Sequence, residues 1–483
     1  MRLKILLKLL SIPLAWVGFV QFIFAWLNVF YFRDGTGAHF FFSSALVFLV
    51  AISFWAFSRN VPLTKIYPQD GLLFATFTWL LAGLCSAIPI YLVTDVSWTD
   101  ATFESISAMT TTGATILVGL DDMPIGFLMY RQFLQWLGGL GVVIFVVAVL
   151  PMLNVGGMRL LVAETPGPVK DEKIVPRVGY ATRYLWLIYV SITTFCALSY
   201  WLAGMSAYDA IAHSFTTVST GGFSTHDASM GYFDSQLILY IANVFMILGA
   251  ISFNLHYRVI FKNQWNQYWQ DEETRVFIHL IAAISIILII ILTISANYDT
   301  LSERVAQSIF HIVSFMTSTG YGATDLSAWP VATGLLLVFT SYLGGCAGST
   351  AGGNKIVRDI ITFKIIRQQL FLLSHPHAVK AVRYQKQLVG SDVLSAVMAF
   401  MLLAATMSLV LTIALMATGL DFWSSFTAVS ACLNVLGPGF GEVGSNFIPV
   451  TDAGIWILNF AMLLGRLEYF TIIALLLPSF WQR

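Results

Sequence analysis

Charge is scarce in this chain. Of 483 residues only 10 % are Asp, Glu, Lys or Arg, against roughly 25 % in a soluble domain. The formal net charge is +0, so no basic surface invites nucleic acid. Cysteine is also sparse. Cys85, Cys196, Cys346 and Cys432 lie in apolar or glycine-rich segments, and no CxxC or Cys/His spacing marks a metal or redox site. No cluster of catalytic residues and no large polar domain stands out, which argues against an enzyme. What fills the sequence is apolar: 58 % hydrophobic residues. A bilayer-spanning helix needs about 20 mostly apolar residues. The composition is that of an all-α polytopic membrane protein with room for ten crossings.

The first apolar run, Ile5–Tyr31, follows Arg2 and Lys4 and is interrupted only by Lys8. It is too long for the core of a signal peptide, and no small-residue cleavage site follows. It is expected to stay as a first span, about Leu10–Tyr31, followed by a second, about Phe40–Phe57.

After these two spans a pattern recurs four times. An apolar helix leads to a short half-apolar segment, a cluster of small residues around glycine, and a second apolar helix. The short segments are Asp100–Thr115, Asp209–Ser224, Gln307–Thr324 and Ser424–Phe440, and they place Gly113, Gly222, Gly320 and Gly437 in register. The flanking helices are expected near Asp70–Leu92 and Arg131–Leu153, Leu185–Leu202 and Ser235–Ile260, Val276–Ser295 and Val331–Tyr342, and Val393–Met416 and Ile455–Pro478. Unit three is expected to have a broken second helix, with an interrupted continuation to about Gln369. The short segments are too brief to cross a membrane and read as re-entrant half-helices. The organisation is therefore two additional N-terminal helices (1–65) and four units (66–160, 161–265, 266–375 and 376–483), arranged pseudo-symmetrically around a central ion pathway.

Charge placement orients the chain. With the N-terminus inside, the inner segments hold most of the basic residues, among them Arg2, Lys4, Lys8, Arg59, Lys65, Arg159, Lys170, Lys173, Arg258, Lys262, Lys355, Arg358 and Lys380. The outer segments hold only Arg33, Arg131 and Arg304. By the positive-inside rule both termini are cytoplasmic, and all four clusters enter from outside. Acids such as Asp95, Asp100, Glu104, Asp121, Asp209, Asp227 and Asp325 fall on the outer side, nearly unopposed, where they suit a vestibule that concentrates cations.

One small-residue cluster alone would read as a helix-packing patch. Four in register suggest more. Irregular backbone at membrane depth is tolerated only where protein or a water-filled cavity covers it. A cation filter provides that setting, because carbonyl oxygens replace the ion's hydration shell. The residues before the aligned glycines are Thr111–Thr112, Thr220–Gly221, Ser318–Thr319 and Val435–Leu436. Their side chains run from hydroxyl to apolar, so the shared property is backbone. The filter set is thus Thr111, Thr112, Gly113, Thr220, Gly221, Gly222, Ser318, Thr319, Gly320, Val435, Leu436 and Gly437. Asp100 and Asp209 are expected to cap the half-helices.

Below this set two features break the symmetry. Tyr342–Lys355 (YLGGCAGSTAGGNK) holds Gly344, Gly345, Gly348, Gly352 and Gly353, a density that disrupts a helix; it is either a movable flap or a static cavity-lining loop. Arg466 falls inside the last apolar helix, where a charge is costly and faces a cavity, a partner or a pathway. It is either a barrier to cations or one half of a packing salt bridge. Gly138, Gly249, Gly344 and Gly465 recur after the aligned glycines and suggest that the second helices narrow or bend at a similar depth. His213 and His311 share one position, filled elsewhere by Glu104 and Ala428. They are candidates for proton coupling or simply braces of the half-helices.

The loops TTTGAT, STGGFST, STGYGAT and NVLGPGF, together with GGCAGSTAGGNKIVR and GRLE, resemble those of the Trk/Ktr/HKT superfamily of cation transporters, over nearly the whole chain. The resemblance implies low-affinity potassium uptake across the bacterial inner membrane, channel-like or proton-coupled. It implies a homodimer in which each protomer has its own pore, and a cytosolic TrkA-type ring that binds NAD and adenine nucleotides and controls conduction; the nucleotide belongs to that ring and not to this chain. It assigns the ion path to the filter set and gating to Gly344–Gly353 and Arg466. The fourth loop departs from the Thr-Gly pattern with Val435-Leu436-Gly437, which keeps sodium or mixed monovalent-cation transport open as an alternative.

Overall fold

Long runs of apolar residues form long helices, and the short mixed segments form short ones. The computed structural model describes residues 2–61, 68–144, 174–295 and 298–481. Helices α1 (Arg2–Leu27) and α2 (Gly37–Ser58) come first. Then come α3 (Pro68–Val93), the short α4 (Trp98–Thr110) and α5 (Ile125–Ile144). Next are α6 (Ile174–Leu202), the short α7 (Ala207–Val218), α8 (Gln236–Ala250) and α9 (Phe253–Phe261). They are followed by α10 (Glu272–Ile294), α11 (Leu301–Met316), α12 (Val331–Leu343) and α13 (Ile356–Ser374). The last group is α14 (Ser391–Met416), the short α15 (Phe422–Leu433), α16 (Asp452–Arg466) and α17 (Tyr469–Leu476). A two-stranded hairpin, β1 (Arg383–Tyr384) and β2 (Gln387–Leu388), joins α13 to α14.

Among the described residues six helices are long and apolar enough to cross a membrane, and eight crossings result if each bent pair counts as one. The other two expected crossings involve α5, which is described only to Ile144, and the interrupted α12–α13 pair. The expected end at Leu153, the charges Lys65, Arg159, Lys170 and Lys173, and the unit boundaries at 65 and 160 lie outside the described residues.

The expected α12–α13 break is present, and two further second helices are bent: α8 and α9 meet at 96° and α16 and α17 at 117°. The spans Ser235–Ile260 and Ile455–Pro478 read as continuous because most of their residues are apolar. Ile251 is extended at ψ 150°, and Glu468 is left-handed at φ 62°, so each ladder stops there for backbone reasons that hydropathy does not register.

Many long helices turn apolar side chains outward: Trp16, Leu49, Ile290 and Leu402 are all exposed. Lipid is as apolar as they are, so association depends on close packing and interhelical hydrogen bonds. Ser43 Oγ donates to Gln21 Oε1 (2.9 Å), Ser44 Oγ donates to the Gly18 carbonyl (2.8 Å), and Gln21 Nε2 donates to the Cys85 carbonyl (3.0 Å). These tie α1 to α2 and α3. Glycines bring the second helices close to the short ones. A β-carbon on Gly138, Gly249 or Gly465 would lie 1.9, 2.7 or 2.0 Å from the carbonyl oxygens of Met109, Val218 and Leu433 respectively. Gly344 departs from this set: its neighbour is the Gly352 carbonyl within its own broken segment.

Candidate functional site: four turns and a glycine-rich flap

The short helices begin alike. Ser97, Ser206, Thr300 and Asp421 are the capping residues, and their side-chain oxygens accept from the amides of Asp100 (3.1 Å), Asp209 (3.0 Å), Glu303 (3.2 Å) and Ser424 (3.3 Å). The cap is thus corrected from Asp100 and Asp209 to the serines three residues earlier. The two aspartates sit one turn in, at the third helical position, where a carboxylate still favours the positive helix end.

The short helices also end alike. The amide two residues before each aligned glycine donates to the carbonyl three residues back, and the next amide donates five residues back. The first bond joins Thr111 to Ala108 (3.0 Å), Thr220 to Thr217 (3.1 Å), Ser318 to Phe315 (3.1 Å) and Val435 to Cys432 (3.3 Å). The second joins Thr112 to Ser107, Gly221 to Thr216, Thr319 to Ser314 and Leu436 to Ala431, each at 2.8 Å. This pair of bonds is the Schellman motif, which places a left-handed residue just past the helix, normally glycine. Here that residue is Thr111 (φ 56°), Thr220 (51°), Ser318 (55°) or Val435 (57°). For β-branched residues this is an outlier, costing on the order of 1–3 kcal/mol each. The strain recurs at one position in four turns, so the surrounding structure demands it.

The aligned glycines close a ring. All four are left-handed, with φ 83°, 78°, 78° and 103° for Gly113, Gly222, Gly320 and Gly437. A β-carbon on Gly113 would lie 2.2 Å from the Gly221 carbonyl oxygen, and one on Gly222 1.9 Å from that of Thr319. One on Gly320 would lie 1.8 Å from that of Leu436, and one on Gly437 2.7 Å from that of Thr112. Each glycine therefore abuts the carbonyl preceding the next glycine, and the fourth returns to the first. Every sequence-derived filter residue belongs to this ring or to the strained turn beneath it. A cavity of about 770 Å³ opens on one side, lined by the four glycines together with Arg131 and His226.

Buried polar side chains brace the turns. Gln135 clips the second turn, donating from Nε2 to the Gly221 carbonyl (2.7 Å) and accepting at Oε1 from the Phe223 amide (3.1 Å). His213 and His311 are braces too. Each Nδ1 bonds a carbonyl one helical turn back, Asp209 (2.9 Å) or Gln307 (2.8 Å). A carbonyl can only accept, so the proton sits on Nδ1. Nε2 of His311 accepts from the Ala323 amide (3.4 Å), and Nε2 of His213 bonds the Ser224 hydroxyl (2.9 Å). Both imidazoles are engaged at both nitrogens.

The same position in the first unit holds Glu104, which accepts from Thr115 Oγ1 (3.0 Å) and the Ile116 amide (3.1 Å). It pairs with Arg131, whose Nε lies 2.9 Å away, and both are buried. Arg131 also covers the Phe223 ring at 4.2 Å. Removing one partner strands the other charge. Arg131→Met should lower stability by about 3–5 kcal/mol, and Glu104→Gln in the same chain should restore most of the loss. Thermal unfolding of the detergent-solubilised protein checks this; equal loss in single and double variants would show that the pair is not coupled.

The acids expected on the outer side, and Asp34 near them, are less free than their sequence positions suggested. Asp227 accepts from the amides of Gly119 and Leu120, both at 3.1 Å. Asp121 bonds His226 Nδ1 at 2.5 Å, which holds its carboxyl below the usual carboxylate range. Asp34 accepts from the Gly126 amide (2.8 Å). These acids stitch loops together as well as carrying charge.

On the opposite side of the ring lies the glycine-rich segment 344–355. Gly344, Gly348 and Gly353 are left-handed at φ 73°, 75° and 73°, whereas Gly345 and Gly352 are selected by close approach: their β-carbons would lie 2.6 Å from Ala351 Cβ and 2.2 Å from the Asn434 carbonyl. The segment touches the strained residues directly. Gly352 N donates to Ser318 Oγ (2.5 Å), and Thr220 Oγ1 bonds Thr350 Oγ1 (3.2 Å). It is held to the α8–α9 break by Cys346 N to the Ala250 carbonyl (2.8 Å) and Phe253 N to the Gly348 carbonyl (3.0 Å).

Arg466 is buried beside this segment. Its Nη1 donates to the Thr350 carbonyl (3.0 Å) and its Nη2 to the Gly138 carbonyl (3.3 Å). Its partners are backbone oxygens rather than a carboxylate. Glu468 instead pairs with Arg358 at 2.9 Å. Sequence reasoning missed Gln135, the Glu104–Arg131 pair and Glu273, whose contacts are described below. Gln135 sits in the apolar run Phe133–Leu140, and a polar residue there was the available signal.

A family profile, TrkH, described as "Cation transport protein", matches residues 38–482. The chain is 42 % identical over 456 residues to the Trk system potassium uptake protein TrkH of Vibrio parahaemolyticus, covering 93 % of this chain and 94 % of that protein. It is 40 % identical over 453 residues to the protein of the same name in Escherichia coli, with the same coverage. The crystal structure of the potassium transporter TrkH from Vibrio parahaemolyticus superposes with a TM-score of 0.91 at 38 % identity over 100 % of both chains. With the ring of turns, the glycine-rich segment and the apolar helices already in place, these matches make the chain a member of the TrkH family of cation transport proteins, within the Trk/Ktr superfamily, and not an enzyme.

Proposed function

We propose that this chain carries potassium inward across the bacterial inner membrane through a gated pore whose filter is the ring of Thr111–Gly113, Thr220–Gly222, Ser318–Gly320 and Val435–Gly437. The observation that carries the reading is the cyclic approach of each aligned glycine to the next unit's carbonyl. Four turns that close on themselves enclose a centre, and the element they share there is backbone. Dehydrated cations are held by carbonyl oxygens, and the short helices turn their negative ends toward that centre. The names of the related uptake proteins supply potassium as the cargo.

In this reading the chain comprises two additional helices (1–65) and four pseudo-symmetric units (66–160, 161–265, 266–375 and 376–483) around the pathway. Both termini are cytoplasmic. Two copies form a homodimer with one pore each, and a cytosolic TrkA-type ring that binds NAD and adenine nucleotides sets conduction. The flap, with Gly344, Gly345, Gly348, Gly352 and Gly353, and Arg466 form the gate. The fully engaged His213 and His311 favour a channel-like path over proton coupling through those imidazoles.

A second reading, sodium or mixed monovalent-cation transport, is favoured by one feature: Val435 and Leu436 give the fourth turn no hydroxyl. Reversal potentials in vesicles of purified protein separate the two. A potassium pathway yields a potential that follows the potassium gradient and ignores sodium, with rubidium passing as a surrogate. Equal sodium and potassium currents would overturn the potassium assignment, and absent rubidium flux would overturn transport itself.

A further inference from the structure

Three consecutive acids, Asp271, Glu272 and Glu273, open α10. Glu273 engages the flap side, while Asp271 and Glu272 both engage Gln385. Glu273 is buried, 2 % exposed, and its Oε1 accepts two backbone amides, Ala347 N at 2.7 Å and Val357 N at 3.1 Å. The first amide lies inside the flap, and the second lies just beyond its C-terminal end. Val357 is in the first turn of α13, whose capping position, Lys355, supplies no side-chain oxygen. An open helix start needs an acceptor, and Glu273 supplies it from another helix. One oxygen thereby ties the flap and the helix that follows it to α10.

Glu272 faces the other way. It accepts from Lys364 Nζ and, at 3.0 Å, from the Gln385 amide. Asp271 accepts from Gln385 Nε2 (2.8 Å) while capping α10 through the Thr274 amide (2.8 Å). Lys364 Nζ also reaches the Arg383 carbonyl (2.8 Å). Gln385 and Lys386 form the tip of the β1–β2 hairpin, both left-handed at φ 46° and 67°, as a tight two-residue hairpin turn requires. This hairpin turns Leu388, Lys386 and Arg383 outward. Between Ser374 and Ser391 the chain carries Lys380, Arg383 and Lys386 and no acid.

We infer that Glu273 is the positioning residue of the flap and that Asp271 and Glu272 join it to the exposed β1–β2 hairpin, so that displacement of the hairpin is transmitted to the flap at Ala347 and to the start of α13 at Val357. The inference rests on the reading of segment 344–355 as the gate. Its physical basis is length: the three carboxylates occupy one helical turn, and a turn of helix moves as a rigid unit. A pull on Gln385 therefore tilts the start of α10 and shifts the oxygen that holds Ala347 and Val357. The outward basic and apolar face of the hairpin suits an acidic protein surface as the source of that pull.

The flap carries its own reporter, since Cys346 is buried beside Ala347. The test uses the full chain with Cys85, Cys196 and Cys432 changed to Ala, reconstituted in phosphatidylethanolamine–phosphatidylglycerol vesicles. Alkylation of Cys346 by a small neutral maleimide is followed alongside rubidium flux. The surface variant Lys364→Met with Gln385→Ala, which leaves the flap untouched, should raise the alkylation rate about tenfold, as loss of local hydrogen bonds lowers the cost of local opening. Glu273→Ala should raise it further, and Glu273→Gln, which keeps an acceptor oxygen, should lie between. Unchanged alkylation in the surface variant overturns the inference, even if Glu273→Ala fails to fold. Faster alkylation with unchanged rubidium flux upholds the mechanical link and overturns the flap as gate.

Discussion

Gly320→Ala should abolish rubidium uptake while leaving the protein inserted and folded. The β-carbon would sit 1.8 Å from the Leu436 carbonyl oxygen and 2.6 Å from Pro438 Cδ. One of those contacts is backbone, so no side chain can rotate aside. The residue is also left-handed at φ 78°, which costs a β-carbon-bearing residue about 1–2 kcal/mol. The nearest relief is to push the Leu436 carbonyl out of line. A coordinating oxygen displaced by an ångström no longer matches the ion, and the expected fall in flux is on the order of 100-fold or more. The larger Gly113→Asp should do the same and add a carboxylate beside the Gly221 carbonyl. Rubidium flux in vesicles, normalised to the quantity of correctly inserted protein, is the measurement. Wild-type flux through Gly320→Ala would remove the ring from the ion path.

Arg466→Ala should have the opposite sign and raise basal flux. Its guanidinium donates to Thr350 in the flap and to Gly138 in α5, two groups that belong to distant parts of the chain. Hydrogen bonds from a charged donor contribute about 1.5–3 kcal/mol each. If the bond to Thr350 belongs to the closed arrangement, losing it shifts the closed-to-open balance roughly tenfold to 100-fold, at about 1.4 kcal/mol per factor of ten. The positive charge beneath the ring disappears as well, and that change acts in the same direction for a cation. Arg466→Lys should give an intermediate result, since an ammonium cannot hold both carbonyls in the geometry of the planar fork. Single-channel or vesicle-flux measurements without any partner protein isolate this effect. Lower flux in well-folded Arg466→Ala would make Arg466 a strut and not a barrier.

The two expectations divide the site by the kind of information each needs. The ring was legible because its chemistry is repeated. Four unlike pairs, from Thr111–Thr112 to Val435–Leu436, share only a following glycine, and that pattern pointed to backbone before any coordinates. The break between α12 and α13 was legible from glycine density, and Arg466 from a charge in an apolar run. The braces were not legible. His213 and His311 sit at one register position with Glu104, but nothing in the chain says that all three reach the loop after their own glycine. Glu104 finds Arg131, 27 residues away along the chain, and Glu273 finds amides 74 and 84 residues away. A side chain's partner at such distances is a property of packing.

The breaks divide in the same way. Glycine announces the one between α12 and α13. Those after Ala250 and Arg466 lie inside spans that are apolar on average, and at the first of them the Ala250 carbonyl is taken by Cys346 N. Composition and register by themselves determined a polytopic helical protein, the four aligned glycines and the backbone character of the site, because hydropathy and left-handed geometry are local requirements written residue by residue. Tertiary structure alone decided that each glycine abuts the next unit's carbonyl, that Arg466 donates to the Thr350 and Gly138 carbonyls, and that Glu273 accepts from the Ala347 and Val357 amides. Those partners are far apart along the chain, from 74 residues for Ala347 to 328 for Gly138, and only the packed helices bring them within reach.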